Sequence, residues 1–266
     1  MDLKLKDKHI LITGGSKGIG LACAKAFLSE SAQVTLVARD LATLESVQRA
    51  MVIEMPESKG RVAVFSADLR DPQSSMAALE KSEARFGPVD VLVNSAGAAK
   101  RTPAAELTPQ IWRDALDAKF FTYINMIDPV VKRMAKRKQG VIINVIGAGG
   151  KTASAVHLAG GSANAALMLA TAGLASAYGR EGVRVVGVNP GPTHTERLQE
   201  GLEATCRLEG IDMDTALENA TARIALGRLA EPEEIADTVA FLASDKASYI
   251  SGVNINMDGV AVASVV

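Results

Sequence analysis

Short apolar runs alternate with helical stripes along most of the chain. The apolar runs cover residues 9–13, 34–38, 62–65, 89–93, 141–146, 183–188 and 250–257. Between them, apolar residues three and four positions apart predict helices over residues 19–30, 41–55, 109–138, 154–179 and 231–243. Wholly apolar strands separated by helices are typical of parallel sheets covered on both faces. We predict an α/β fold, a Rossmann-type doubly wound domain with about seven parallel strands flanked by helices.

One segment does not fit this alternation. Residues 195–228 are helical in pattern but lie between two regular strand–helix units. An insertion after the end of a strand is a frequent form of active-site lid. We therefore predict that residues 1–266 form a single dinucleotide-binding domain, with a helical substrate lid at about residues 195–228.

Composition excludes several classes of partner. The formal net charge is −1, so no basic surface favours nucleic acid or an anionic membrane. No apolar stretch approaches the ~18 residues of a membrane span, which predicts no membrane association. Two cysteines, Cys23 and Cys206, are too few for a disulfide framework, which favours a cytoplasmic location. No metal site is predicted.

A glycine cluster follows the first strand. Residues 13–20 read Thr-Gly-Gly-Ser-Lys-Gly-Ile-Gly and lead directly into the first helix. Glycines at a strand-to-helix turn let the backbone approach a pyrophosphate, and the helix N-terminus offers free N–H groups and the positive end of its dipole. Because the cluster opens a strand–helix–strand unit, a dinucleotide site is favoured over a simple turn.

The end of the second strand indicates which dinucleotide is bound. NAD sites usually carry a carboxylate there, whereas the 2′-phosphate of NADP needs positive charge. Arg39 stands at this strand end and Lys17 in the glycine loop, although Asp40 follows immediately. We predict that the two cations bind the 2′-phosphate of NADP(H). The alternative is that both are solvated surface charges.

Together these residues resemble the short-chain dehydrogenase/reductase superfamily over nearly the whole chain. Further motifs carry the resemblance: Asp68 after the third strand, Asn94-Ser95-Ala96-Gly97 after the fourth, Pro190-Gly191 with Thr195, residues 228–236, residues 241–244 and Asp258-Gly259. The resemblance implies that NADP(H) is bound by Gly14, Ser16, Lys17, Gly18, Ile19, Gly20, Arg39, Asp68, Leu69, Asn94, Ala96, Gly97, Asn164, Pro190, Gly191, Thr193 and Thr195.

The usual catalytic tetrad of this family is missing. Members typically use Asn, Ser, Tyr and Lys, in which Tyr donates the proton and Lys lowers its pKa. Counted from the flanking motifs, these positions fall at Lys119, Gly147, Gly160 and Asn164. None of Tyr123, Tyr178 and Tyr249 has a lysine four residues later, so a slipped register does not restore the tetrad. Loss of a positioned general acid costs ~10²–10⁴ in rate.

Two residues are candidates to replace the missing acid. Lys119 lies on an apolar stripe; either it is buried with a lowered pKa, or it extends to the surface. His157 lies three residues before the tyrosine position, where the family's substrate pocket forms; it is either an acid–base group or a structural histidine. Asn164 remains able to hydrogen-bond the ribose.

Two functions remain open from the sequence. The first is a divergent NADP(H)-dependent oxidoreductase for a small, partly apolar substrate, using a non-standard proton donor or a substrate that needs little protonation, such as an activated alkene or an iminium. The second is a catalytically inactive NADP(H)-binding sensor or partner subunit. The resemblance also implies a homotetramer or homodimer, paired through long central helices.

Overall fold

A computed structural model describes residues 1–97 and 99–263. In these residues one parallel sheet contains β1 (His9–Thr13), β2 (Gln33–Ala38), β3 (Val62–Ser66), β4 (Val91–Asn94), β5 (Gly140–Val145), β6 (Val183–Pro190) and β7 (Asn254–Met257). Its order is β3-β2-β1-β4-β5-β6-β7. The direction of winding reverses between β1 and β4, and ligands bind in α/β sheets at the carboxyl ends of the strands beside such a point. The predicted fold class is confirmed.

Helices cover both faces of the sheet. They are α1 (Gly18–Ser29), α2 (Leu41–Glu54), α3 (Pro72–Phe86), α4 (Pro109–Ala115), α5 (Thr122–Lys136), α6 (Leu158–Tyr178), α7 (Glu196–Glu209), α8 (Met213–Ala222) and α9 (Pro232–Ala243). Strand residues alternate between two cores: Ile10 and Ile12 pack with α1, α2 and α9, whereas Leu11 packs with α3, α5 and α6. This alternation explains why β1 is apolar at most positions and buried at all of them.

Three predicted boundaries were wrong. The helix predicted over 109–138 is interrupted by a π-helical segment, Leu116–Phe121, and ends at Lys136. The helix predicted from residue 154 begins at Leu158, because the Thr102 N–H donates to the Val156 carbonyl and holds the preceding residues in a loop. The last strand begins at Asn254 rather than residue 250, because Gly252 turns the chain with φ +76°.

The prediction that no apolar stretch approaches the length of a membrane span was also wrong. The stretch Leu158–Glu181 is long and apolar enough by length and composition to cross a membrane. Half of it is buried in the fold, and α6 packs against β6. Core helices of α/β folds have the same composition, so this is weak support for a membrane span.

The predicted lid segment contains α7 and α8. Leu202 on α7 and Ala216 on α8 are buried, so the two helices pack into the fold on their apolar sides. The helical prediction for this segment is confirmed, and its action as a lid stays a prediction.

Candidate active site at the carboxyl edge of the sheet

The glycine loop forms a close backbone cradle between β1 and α1. Gly14 has φ +71°, and a Cβ added there would lie 2.7 Å from the Ala96 Cα. A Cβ at Gly20 would overlap the Gly14 carbonyl oxygen. At the start of α1, Lys17 occupies the N-cap position without a side-chain cap bond, so the first N–H groups of the helix are open to an anion. The residues present therefore fit a dinucleotide pyrophosphate.

A buried polar chain fixes this cradle to the rest of the sheet. The Thr13 hydroxyl donates to the Asn94 side-chain oxygen (3.3 Å), and the Asn94 amide donates to Asn144 (3.0 Å). The Asn144 amide donates in turn to the Thr171 hydroxyl on α6 (2.9 Å). Asn94 thus joins neighbouring strands inside the protein, and its contact with a nucleotide stays a prediction. The sequence analysis did not identify Thr13, Asn144 or Thr171 as supports of the site.

The Pro-Gly turn closes the cradle from the other side. The Thr193 hydroxyl donates to the Gly191 carbonyl (3.0 Å), and the Thr195 hydroxyl donates to the Thr193 carbonyl (3.3 Å). A Cβ at Gly18 would lie 3.3 Å from the Thr195 methyl carbon. The glycine loop and the Pro-Gly turn, which are distant in sequence, are therefore in contact through Gly18 and Thr195.

The predicted 2′-phosphate end is exposed and positively charged. Arg39 directly follows β2 and has an exposed side chain. Asp40, which had complicated the choice of cofactor, caps α2 by accepting from the Thr43 N–H (2.7 Å), and this bond lowers the pKa of its carboxyl. The Lys17 ammonium forms a salt bridge to Glu196 on α7 (2.6 Å). Lys17 therefore connects the glycine loop to the predicted lid.

Asp68 and Leu69 follow β3 near the predicted adenine position. Hydrogen bonds from the Arg70 guanidinium lower the pKa of Asp68 to about 2, so the carboxyl is ionised at neutral pH. The Leu69 carbonyl accepts from the Asn125 amide (2.9 Å). These contacts fix the backbone after β3; adenine binding there stays a prediction.

Around the positions predicted for the family's tetrad, glycines bring loop and helix backbone close together. Gly147 follows β5 with φ +118°, a conformation that disfavours a side chain, and a Cβ there would lie 3.4 Å from the Asn164 Nδ2. A Cβ at Gly150 would lie 2.8 Å from the Ala165 nitrogen on α6. A Cβ at Gly160 would overlap the imidazole of His157. The serine and tyrosine of the family therefore do not fit this backbone without rearrangement.

His157 fills the space where the family's tyrosine side chain would begin. It precedes α6, and its ring is close enough to the Gly160 position to exclude a Cβ. Burial and, to a smaller extent, the nearby cations Arg101, Arg197 and Lys119 together lower the pKa of its imidazole to about 4. Within the described residues its buried Nδ1 has no hydrogen-bond partner. His157 is therefore neutral near pH 7 and keeps an unused hydrogen-bonding position.

Lys119 is buried, so the alternative that it extends to the surface is wrong. Its side chain leaves the π-helical segment, and its ammonium donates to the Tyr123 hydroxyl (2.7 Å) and the Val145 carbonyl (3.2 Å). The ammonium also lies 4.5 Å from the centre of the Tyr123 ring. Burial and the charge of Arg197 lower the pKa of Lys119 well below its usual value. The helical stripe that carries Lys119 is only partly buried, since Trp112 on the same stripe is 36% exposed.

Two arginines at this site were missed. Arg101 lies shortly after the Asn-Ser-Ala-Gly motif, and Arg197 lies two residues after Thr195. Their positions just beyond two recognised motifs were the signal that could have found them. Among residues 1–97 and 99–263, no group of three His, Cys, Asp or Glu side chains is arranged to hold a metal ion.

Comparison with known proteins identifies the family. A family model described as Enoyl-(Acyl carrier protein) reductase matches residues 14–259. A probable 2,4-dienoyl-CoA reductase of Bacillus subtilis is 32% identical over 259 residues, which cover 96% of each chain. The chain belongs to the short-chain dehydrogenase/reductase superfamily. The predicted resemblance is confirmed.

Solved structures of this superfamily share the fold closely. Actinorhodin polyketide ketoreductase with NADPH has a TM-score of 0.89 and 27% identity, covering 95% of this chain and 96% of that one. An NADPH-bound short-chain oxidoreductase from Pseudomonas aeruginosa, described as containing an atypical catalytic center, has a TM-score of 0.86 and 28% identity, covering 96% and 97%. The NADPH in both agrees with the cofactor predicted for this chain.

Proposed function

We propose that this short-chain dehydrogenase/reductase is an NADP(H)-dependent oxidoreductase that acts on a small, partly apolar substrate without the family's tyrosine. The observation that carries the proposal is the His157 ring above Gly160, next to an intact glycine cradle. A site that had only lost its tyrosine would leave space there, whereas this one holds an imidazole.

The cofactor assignment rests on shape and charge. The glycine loop accommodates a pyrophosphate, and Arg39 with Lys17 supplies two cations for the 2′-phosphate. The Asn164 amide, on α6 opposite Gly147, is positioned to hydrogen-bond a ribose hydroxyl. When bound, NADP(H) supplies or accepts the hydride.

The protein's own groups must handle the proton. We assign His157 as the group that touches the substrate, because a neutral imidazole donates one N–H to a developing negative charge. Lys119 is a positioning residue in the same site: burial keeps His157 neutral, and the charges of Arg101, Arg197 and Lys119 add to this effect. Weak acid catalysis suits a substrate that needs little protonation, such as an activated alkene, and the matches to enoyl and dienoyl reductases support this class.

Two measurements test the proposal. Calorimetric titration should give micromolar binding of NADPH and much weaker binding of NADH. NADPH consumption should then be followed with α,β-unsaturated thioesters, aldehydes and cyclic imines. His157→Ala should lower kcat at least tenfold, whereas Ser162→Ala, an exposed hydroxyl on the same helix, should leave it unchanged. Equal rates in both variants would remove His157 from the chemistry.

One observation favours a second function. The φ of Gly147 disfavours the family's serine, and the His157 ring overlaps the position of its tyrosine, as expected of a protein that binds NADP(H) only as a sensor or partner subunit. This alternative requires micromolar NADPH binding with no coupled loss of NADPH and substrate across the panel.

A further inference from the structure

Two arginines lie near each other at α7, and the charge of Arg197 lowers the pKa of Arg101. Arg197 is in the first turn of this helix, and Gly201 is one turn later on the same face. A Cβ at Gly201 would lie 3.1 Å from Nε of Arg101 and 3.2 Å from its Cζ, so Arg101 rests on the helix at this glycine. The Arg101 guanidinium, from the loop after β4, therefore lies against the helix of the predicted lid that also carries Arg197.

This arginine pair borders His157. The Thr102 N–H donates to the Val156 carbonyl (3.0 Å). This bond brings the backbone of Arg101, which precedes Thr102, close to that of His157, which follows Val156. The charges of both guanidinium groups and of the Lys119 ammonium lower the pKa of the His157 imidazole. The pair is therefore part of the site where we place the reacting group.

The positive charge of the pair is not balanced by a salt bridge. In the described part of the chain neither arginine has a carboxylate oxygen within 4.0 Å. Partial loss of hydration lowers the pKa of Arg197, whereas Tyr123 and, more weakly, Glu200 act to raise it. Among the described residues, the polar contact of the Arg197 side chain is a donation to the Gly97 carbonyl (3.3 Å). Both arginines stay exposed to solvent. Two like charges held near His157 form a receptor for an anion.

We propose that Arg101 and Arg197 bind an anionic group of the substrate, a carboxylate or a phosphate, and so hold its reacting atoms beside His157. The inference rests on the proposed function and narrows its substrate to a molecule with an acidic group next to a partly apolar body. Arginine suits this role because its planar donors bind carboxylate or phosphate oxygens in pairs.

The test uses probes that differ only in charge. The protein, saturated with NADPH, is titrated calorimetrically with benzoate, phenyl phosphate and neutral benzamide. We expect at least one anion to bind tenfold or more tightly than benzamide, which corresponds to about 1.4 kcal/mol. The stronger of the two anions identifies the acidic group. Equal binding of all three probes would overturn the inference.

Variants assign the effect to the pair. Arg101→Gln and Arg197→Gln should each weaken binding of the preferred anion at least tenfold and leave NADPH affinity unchanged. Arg180→Gln, an exposed arginine in the turn after α6, is the matched control and should change neither. Loss of NADPH affinity with unchanged anion binding would assign the guanidinium groups to the cofactor and refute the proposal.

The same titrations distinguish failure of the anion receptor from failure of the proposed oxidoreductase function. If NADPH does not bind, the proposed function fails, but the probes can still be titrated into the free protein. Selective, arginine-dependent anion binding there would support the receptor without the reductase. Absence of such binding alongside normal NADPH binding would refute the receptor and leave the oxidoreductase proposal standing.

Discussion

Gly160→Ala offers a direct test of how tightly His157 is held. Alanine in place of glycine inside a helix normally stabilises a protein by about 0.5–1 kcal/mol. At position 160, however, the new methyl group would overlap Cε1 of His157 and lie 2.8 Å from both ring nitrogens. Forcing extra volume into a packed site costs about 1–3 kcal/mol. The clash therefore exceeds the gain in helix propensity, and we expect net destabilisation.

The same helix provides a matched control. Gly173 also lies in α6, and a Cβ there would meet nothing within 4 Å. Gly173→Ala should therefore stabilise the protein by the normal amount. Removing the ring with His157→Ala should turn the effect of Gly160→Ala from destabilising to stabilising. The coupling energy between the two substitutions should be about 1–3 kcal/mol, as is usual for residues in contact.

Urea unfolding followed by circular dichroism measures all of these free energies. In thermal unfolding, a change of 1 kcal/mol corresponds to roughly 2–4 °C for a chain of this size class. If Gly160→Ala stabilised the wild-type protein as much as Gly173→Ala, the His157 ring would not occupy the tyrosine position, and the assignment of His157 as the replacement group would fail.

Three further predictions follow from individual contacts. Glu196→Gln should release Lys17 for the 2′-phosphate and tighten NADPH binding by roughly 1.4- to 5-fold, the range for an exposed ion pair; unchanged affinity would mean that the bridge does not compete with the cofactor. Since the folded pKa of His157 is about 4 and an unfolded histidine titrates near 6.5, the unfolded chain binds more protons between these values. Stability should rise with pH across this window, and His157→Gln should flatten the rise in urea unfolding more than the exposed His194→Gln does. Leu169, 76% exposed on α6, should lie in the predicted oligomer interface; Leu169→Glu should reduce the mass measured by light scattering, and an unchanged mass would place the interface elsewhere.

Element types were predictable because they depend on local periodicity. β1 was predicted with its observed bounds, His9–Thr13, since a short apolar run next to glycines allows few other structures. The start of α6 was not, because the Thr102–Val156 hydrogen bond that delays it joins residues more than fifty positions apart. The π-helical segment around Lys119 was likewise beyond a reading based on helical periodicity alone.

Residues of the candidate site were also predictable where they depend on nearby sequence, and not where they depend on contacts with distant residues. Motifs that interact within one strand–helix unit, such as the glycine loop, were identified by their order and spacing. The environment of Lys119 was left open, because burial depends on Tyr123 and on the Val145 carbonyl from a neighbouring strand. The arginine pair was missed, since nothing in the neighbourhood of Arg101 indicates a partner almost a hundred residues later.

The amino-acid sequence by itself determined the α/β alternation and the glycine cradle, and it predicted the positive charges after β2 and the loss of the tetrad, because each of these depends on residue types at short, regular spacings. The tertiary structure decided what surrounds the predicted tetrad positions. Parallel strands bring their carboxyl ends to one edge of the sheet, so loops that are distant in sequence meet there. Only at that edge do His157, Lys119, Arg101 and Arg197 come close enough for burial and mutual charge to set their chemistry.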